Sequence, residues 1–356
     1  MMRSPGSLSI VCRRSNGELV VRERAMPGLA KGPRSWPLLR GVVTLVESVK
    51  LGSQALRWSA ELYEQDAREA EEAEAAPKPP KTGALTTLAL SVVALLTSDG
   101  EPPPAPGEPD AKKGAGLAAV LPILFAIGLF VALPQVGAEG LNKLFFNQEL
   151  QVTSPLFQTF TGIAKLIIVV GYLLIIRQIG EVRRVFQYHG AEHKTISTYE
   201  ANEALVVDNA RLKTTMHARC GTTFLVMVAL VSIVVFSVAG ALIGQMFSNA
   251  LPGGRIVQNV VFFLLKLPFL PVVAAITFEL QRFFARYCST GPLRALLWPG
   301  FLVQKITTAE PDDAQLEVAL ASLRATLWRE QAQHAPAQPD RVFADYGKVI
   351  ADPGYA

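Results

Sequence analysis

A chain of 356 residues with 34 basic and 30 acidic side chains has a net charge of only +4, and half of its residues are hydrophobic against 18% charged. At a mean hydropathy of +0.29 there is more apolar side chain than a soluble core of this size can hold, which excludes an ordinary soluble domain and points to a membrane protein. The slight positive charge suits an anionic inner leaflet, and the absence of a basic stripe interleaved with aromatics excludes a nucleic-acid partner.

Residues 7–14 and 18–24 are rich in β-formers and flank Asn16-Gly17, a dipeptide that favours a tight hairpin because both positions tolerate positive φ. From Pro37 onward Leu38, Val42, Leu45, Val46, Val49, Leu56 and Leu62 recur at helical spacing. That pattern predicts an amphipathic helix, lying on the membrane surface or burying its apolar face in a soluble subdomain. Residues 1–65 therefore read as a cytoplasmic hairpin plus helix, and the acidic, Ala-rich and Pro-Lys-rich segment 66–83 as a linker. The apolar stretch 84–97 is too short to span and reads as interfacial or re-entrant, followed by a Pro-rich linker over 98–115.

Four apolar runs, 117–134, 156–176, 222–247 and 256–280, reach the roughly 20 residues that cross a hydrocarbon slab. Pro122, Pro268 and Pro271 predict kinks in the first and last runs. Lys266 reads first as a snorkelling side chain and second as an interior polar site. The fold class is mainly α: a polytopic helical membrane protein with about four transmembrane helices in a domain over 116–288, a small N-terminal β-hairpin element, and a cytoplasmic His-rich loop over 177–220. That loop holds Arg177, Arg183, Arg184, Lys194, Arg211, Lys213 and Arg219, whereas 135–155 and 248–255 hold only Lys143 and Arg255. The positive-inside rule then places the loop and both termini in the cytoplasm, in a multi-pass membrane protein. No signal peptide is evident.

Residues 289–334 read as a cytoplasmic or interfacial helical region. Trp298 and Pro299 suit an interface anchor, and Asp312 or Asp313 caps a helix through Leu316, Val318, Leu320 and Leu323. The Pro-rich segment 335–356 reads as a loose tail. Cys12, Cys220 and Cys288 form no disulfide pattern, as expected of cytoplasmic exposure.

The chemistry concentrates in the loop, which carries His189, His193 and His217, three of the four histidines in the chain. On a helix, His189, Glu192 and His193 share one stripe. Two imidazoles suit a divalent, zinc-type metal, and the Glu192 carboxylate is placed to act as catalytic base toward water, in the His-x-x-Glu-His order of inverzincins. His217 and Cys220 are the candidates to complete the ligand set, against the alternative of a solvated polar helix. Glu200 falls on the same stripe but about 10 Å further along the axis, which ranks it behind them. A straight continuation of the preceding span would lift His189 about 20 Å above the membrane, so a shared site needs a bend, expected at Gly180.

The leading functional reading is a metal-dependent hydrolase with a cytoplasm-facing site. The alternative is a membrane scaffold or regulator stapled by a structural metal, and a transporter ranks last. No nucleotide loop, Gly-x-Ser-x-Gly elbow or pair of acids suited to sugar chemistry appears. Location alone favours membrane lipids as partners and a lipid-like or membrane-protein substrate.

Several segments resemble the YqhQ family of bacterial membrane proteins. They are Met1-Met2-Arg3-Ser4-Pro5, Pro37-Leu38-Leu39-Arg40-Gly41-Val42-Val43 with Glu47-Ser48, and Phe186-Gln187-Tyr188-His189-Gly190-Ala191-Glu192-His193-Lys194-Thr195-Ile196. The likeness continues through His217-Ala218-Arg219-Cys220-Gly221-Thr222, Gln304-Lys305-Ile306-Thr307, Glu310-Pro311 and Gln315-Leu316-Glu317-Val318-Ala319, covering nearly the whole chain apart from the linkers and tail. The resemblance implies a metal-dependent enzyme of undefined reaction, placed in the bacterial inner membrane. Where Ala218 stands the family usually has Pro, and it usually places a Gly-rich segment ahead of Met-Met-Arg. The expectation is therefore a product beginning upstream of Met1, with an N-terminal β element that extends further.

Overall fold

In a computed structural model, residues 1–26, 36–73, 133–146, 153–218, 220–246, 254–287, 292–332 and 338–355 are described, together with 125 and 128–129. Strands β1 (Met2–Arg3), β2 (Ser7–Arg13), β3 (Leu19–Ala25) and β4 (Arg341–Phe343) form one antiparallel sheet in that order. Gly17 takes φ 92° and Asn16 does not take a positive φ. With the Gly17 N–H donating to the Arg14 carbonyl and the Arg14 N–H to that of Glu18, the hairpin closes through a three-residue loop with a glycine bulge, rather than a two-residue turn.

The helices are α1 (Leu39–Ala73), α2 (Leu133–Phe146), α3 (Pro155–Ile176), α4 (Gly180–Glu200), α5 (Val207–Arg211), α6 (Gly221–Met246), α7 (Arg255–Lys266), α8 (Leu270–Tyr287), α9 (Trp298–Thr307), α10 (Asp313–Gln331) and α11 (Tyr346–Ala351). Strand periodicity assigns the sheet two buried faces. Val11, Leu19 and Val21 join Leu316, Leu320 and Leu323 of α10, while Ile10 and Val20 cover Trp58 of α1. Ser9 on the α10 side donates its hydroxyl to the Ser322 carbonyl. The same core takes in Ala191 of α4 and Ala210 of α5, so the first strands, the histidine-bearing helix and the last long helix are one packed unit. Asp312 caps α10 in a capping box with Gln315, which satisfies orphan N–H groups at the helix start.

Helix α1 runs on to Ala73, through residues that read as the start of a linker at 66. Asp66 accepts from Arg14 Nε (2.6 Å) and the Ser15 N–H (2.8 Å), and Glu69 from Arg14 Nη2, so the hairpin turn clamps the acidic segment. The C-terminal segment is not loose. Phe343, Tyr346, Val349 and Tyr355 enter the core, behind prolines that mask this in the sequence.

Among the described residues, three helices are long and apolar enough to cross a membrane: Pro155–Ile176, Gly221–Met246 and Val260–Phe284, with mean hydropathies of 2.2, 2.8 and 2.3. The expected run at 117–134 lies largely outside the described residues, as do the stretch 84–97 and the linker 98–115. Pro268 coincides with a 3-10 turn at Leu267–Phe269 that joins α7 to α8, the expected kink. Lys266 does not snorkel. It is buried, donating to Gln158 of α3 (2.7 Å) beneath the rings of Phe236 and Phe262, because those partners solvate the ammonium inside the bundle.

Leu320→Ala, at a fully buried position, is expected to cost about 2–5 kcal/mol. Because one core joins β2, α4 and α10, hydrogen exchange should quicken in β2 and α4 as well as α10. Loosening confined to α10 would refute the shared core.

Candidate metal centre

The His-rich segment is largely helix. Helix α3 stops at Ile176 and α4 starts at Gly180, with Ile179 extended at ψ 126° between them. The chain thus turns over Arg177–Ile179, and Gly180 is the first residue of the new helix, not the hinge itself. The turn lays α4 back so that one face meets the segment after α9. Gly190 allows this approach: a Cβ there would lie 2.2 Å from the Ala309 carbonyl oxygen, and the Ala309 N–H donates to the Phe186 carbonyl (2.9 Å).

That contact orients the imidazoles. His189 Nδ1 lies 2.9 Å from the Thr307 carbonyl oxygen and His193 Nδ1 2.5 Å from that of Thr215. A carbonyl only accepts, so both Nδ1 atoms carry the proton, and Nε2 is the atom of each ring left to act as a ligand. His189 Nε2 is 3.2 Å from Cys220 Sγ, and the His189 and His193 ring centroids are 4.5 Å apart. Ligand atoms of His189, His193 and Cys220 all fall within 4.8 Å of one another. Two imidazoles and a thiol at this spacing match the donor chemistry of a zinc-type ion.

Burial works against charge in this cluster, but the pair interaction prevails. Desolvation pushes the Cys220 thiol up, while hydrogen bonds and charge from His189 and His193 bring it down to about 5. Burial lowers His189, and Cys220 with the Thr307 carbonyl more than offsets it, so its pKa is raised.

The remaining sequence candidates are placed differently. The His217 ring lies 5.9 Å from that of His193, outside the three-residue group, and its Nε2 is 3.1 Å from Glu200 Oε2. Glu200 therefore meets the site through His217, because the chain beyond α4 folds back beside it. Glu192 Oε1 accepts from the Met1 amine (3.0 Å) and is partly exposed, also outside the group.

Gln304 went unrecognised as part of the site. Fully buried on α9, it accepts from the His217 N–H, and donates to the His217 carbonyl and to Thr223 Oγ1, each at 2.9 Å. From α8, Gln281 donates to the Cys220 carbonyl (3.1 Å). Nothing in sequence spacing separates a buried amide of this kind from a surface one.

Residues 36–329 match the family described as Protein of unknown function (DUF1385). The chain is 28% identical over 303 residues to "Uncharacterized protein YqhQ" of Bacillus subtilis (strain 168), covering 85% of this chain and 80% of that protein. No solved structure matches it.

In metal-free protein the Cys220 thiolate absorbance, taken as a difference against Cys220→Ser, should titrate at about 5 instead of the ordinary 9. The thiolate is then present at neutral pH and lost as the pH falls through about 5. Gly190→Ala, by pushing α4 off Ala309, should move the midpoint upward. An unchanged midpoint would show that the approach of α4 does not set the pairing.

Proposed function

The chain belongs to the DUF1385 family of proteins of unknown function, and from that premise we propose a polytopic inner-membrane protein with a zinc-type, metal-dependent hydrolytic centre on its cytoplasmic side. The observation that carries the reading is the convergence of His189, His193 and Cys220, with both Nδ1 atoms committed to backbone carbonyls. Three protein ligands leave an open position, the hallmark of catalytic rather than structural zinc. A bound ion would supply Lewis acidity and a water nucleophile at neutral pH. In this reading Glu192 takes the proton from the attacking water.

Topology supports a membrane with this centre on one side. Because β1 to β3, α4 and α10 share a core, residues 1–25, 180–200 and 313–331 lie on the same side. Two candidate spans separate Glu200 from Asp313, an even number, whereas one separates Ala25 from Gly180 among the described residues. A further crossing between Ala25 and Pro155 completes the parity and gives four spans, with both ends on the basic, cytoplasmic side. Cys220 immediately precedes the span that opens at Gly221, so a lipid-like or membrane-protein substrate suits the centre.

A second reading, a structural staple, draws on His217. Its backbone is clamped by Gln304 beside the three ligands, where a fourth donor would close the site. Elemental analysis of detergent-purified protein should find about one zinc-type ion per chain, lost in His193→Ala and Cys220→Ala. Metal-free wild type would sink both readings. Glu192→Gln should keep metal and fold while failing to complement the phenotype of a deletion strain, whereas full complementation with metal retained leaves the staple.

A further inference from the structure

Helix α1 presents three distinct faces. One is taken by protein: Gly41 lies so close to α8 that a Cβ would sit 2.8 Å from Phe278 Cβ, Arg40 pairs with Glu279, and Trp58 is buried on the sheet. A second is polar, with Glu47, Lys50, Gln54, Arg57 and Glu61. The third is an apolar ridge. At about 100° per residue, Leu39, Val42, Leu45, Val46, Val49 and Leu56 fall within an arc of about 120°. Leu39 (50%), Leu45 (37%), Val46 (61%), Val49 (44%) and Leu56 (52%) are exposed, and Trp36, also exposed, precedes them. A continuous ridge of this kind marks an interaction surface, unlike scattered exposed leucines.

We infer that the first five turns of α1 are an interfacial membrane anchor, and that the occupant of the ridge is the bilayer. The ridge begins where α1 meets Phe278 and Glu279, inside the candidate span Val260–Phe284. That is about 8 Å short of the span's end at 1.5 Å per residue. Its start thus lies at a depth that belongs to the span, and α8 itself leaves apolar side chains exposed there, at Val272 and Phe283. An amphipathic helix at that level sinks its apolar face to the boundary between head groups and acyl chains. Lys50 and Arg57 border the ridge, from where they reach lipid phosphates, and Trp36 suits the interface. Since α1 also grips the sheet through Trp58 and the hairpin turn through Asp66, the anchor holds the sheet-bearing unit, and with it α4, against the membrane.

The test places a nitroxide at Val46→Cys, and separately at Val49→Cys, in the full chain lacking Cys12 and Cys288 and reconstituted in nanodiscs with anionic lipid, with the signal of the same chain without the added cysteine subtracted to remove any label on Cys220. Glu61→Cys serves as the water-facing reference. Both ridge labels should collide several-fold more with oxygen than with a water-soluble nickel complex, and the Glu61 label the reverse. Nickel-dominated collisions at Val46 and Val49 would place the ridge in water and overturn the anchor. Shielding from both reagents would show a protein cover, such as a second copy, and overturn it equally. Neither position touches the three ligands, so metal content stays as in wild type whichever result is found.

Discussion

The packing of α10 between the sheet and α4 is the contact on which the rest of the molecule depends. Leu316 and Leu320 share one buried core with Val21 of the sheet and Ala191 of α4, joining the first residues of the chain to those near its end across the membrane segments. This closure fixes where α4 can lie. Once α4 is laid down, the lack of a side chain at Gly190 decides how close it comes to Ala309, and that closeness puts the Thr307 carbonyl on His189 Nδ1. A hydrophobic core thus determines a proton position at the candidate centre.

The centre is also tied to the bundle. Cys220 stands at the mouth of α6, Gln281 of α8 donates to its carbonyl, and Gln304 of α9 grips His217 three residues before it. The three side chains of the candidate centre therefore come from two bodies: the histidines from the helix packed on α10, the thiol from the residue before a candidate span. In the metal-free protein His189 and Cys220 act on each other across that junction, the imidazole pKa raised and the thiol brought down to about 5. A divalent ion held there would take the place of the shared proton, since both ligand types bind metal only when deprotonated.

The clustering of His189, His193 and Cys220 was legible in the sequence because these residue types are scarce and the two histidines fall on one helical stripe. The spans were legible because a hydrocarbon slab imposes a length that a soluble helix has no reason to keep. What escaped depends on tertiary partners. Asp66 belongs to a helix only because Arg14 and Ser15 hold it, and Phe343, Tyr346 and Tyr355 form part of a core completed by residues some three hundred positions earlier. Lys266 is kept inside by Gln158 and two aromatic rings, none of which periodicity locates. Gln304 shows the limit most plainly: its three side-chain hydrogen bonds are exchanged with His217 and with Thr223 in the first turn of α6, more than eighty residues away.

His217 separates the two chemical readings by a single rotation. Gln304 bonds both its N–H and its carbonyl, which leaves the backbone fixed and only the side-chain torsions free. With Nε2 on Glu200 the ring stands off from the three ligands, and the group keeps an open position of the kind catalytic zinc uses. In the staple reading the same ring would have to leave its carboxylate to supply the fourth donor that closes a structural site. A carboxylate that holds an imidazole away from the three-residue group would favour the open form of the proposed centre, so the His217–Glu200 pair is the contact whose loss would move the site from the catalytic reading toward the structural one.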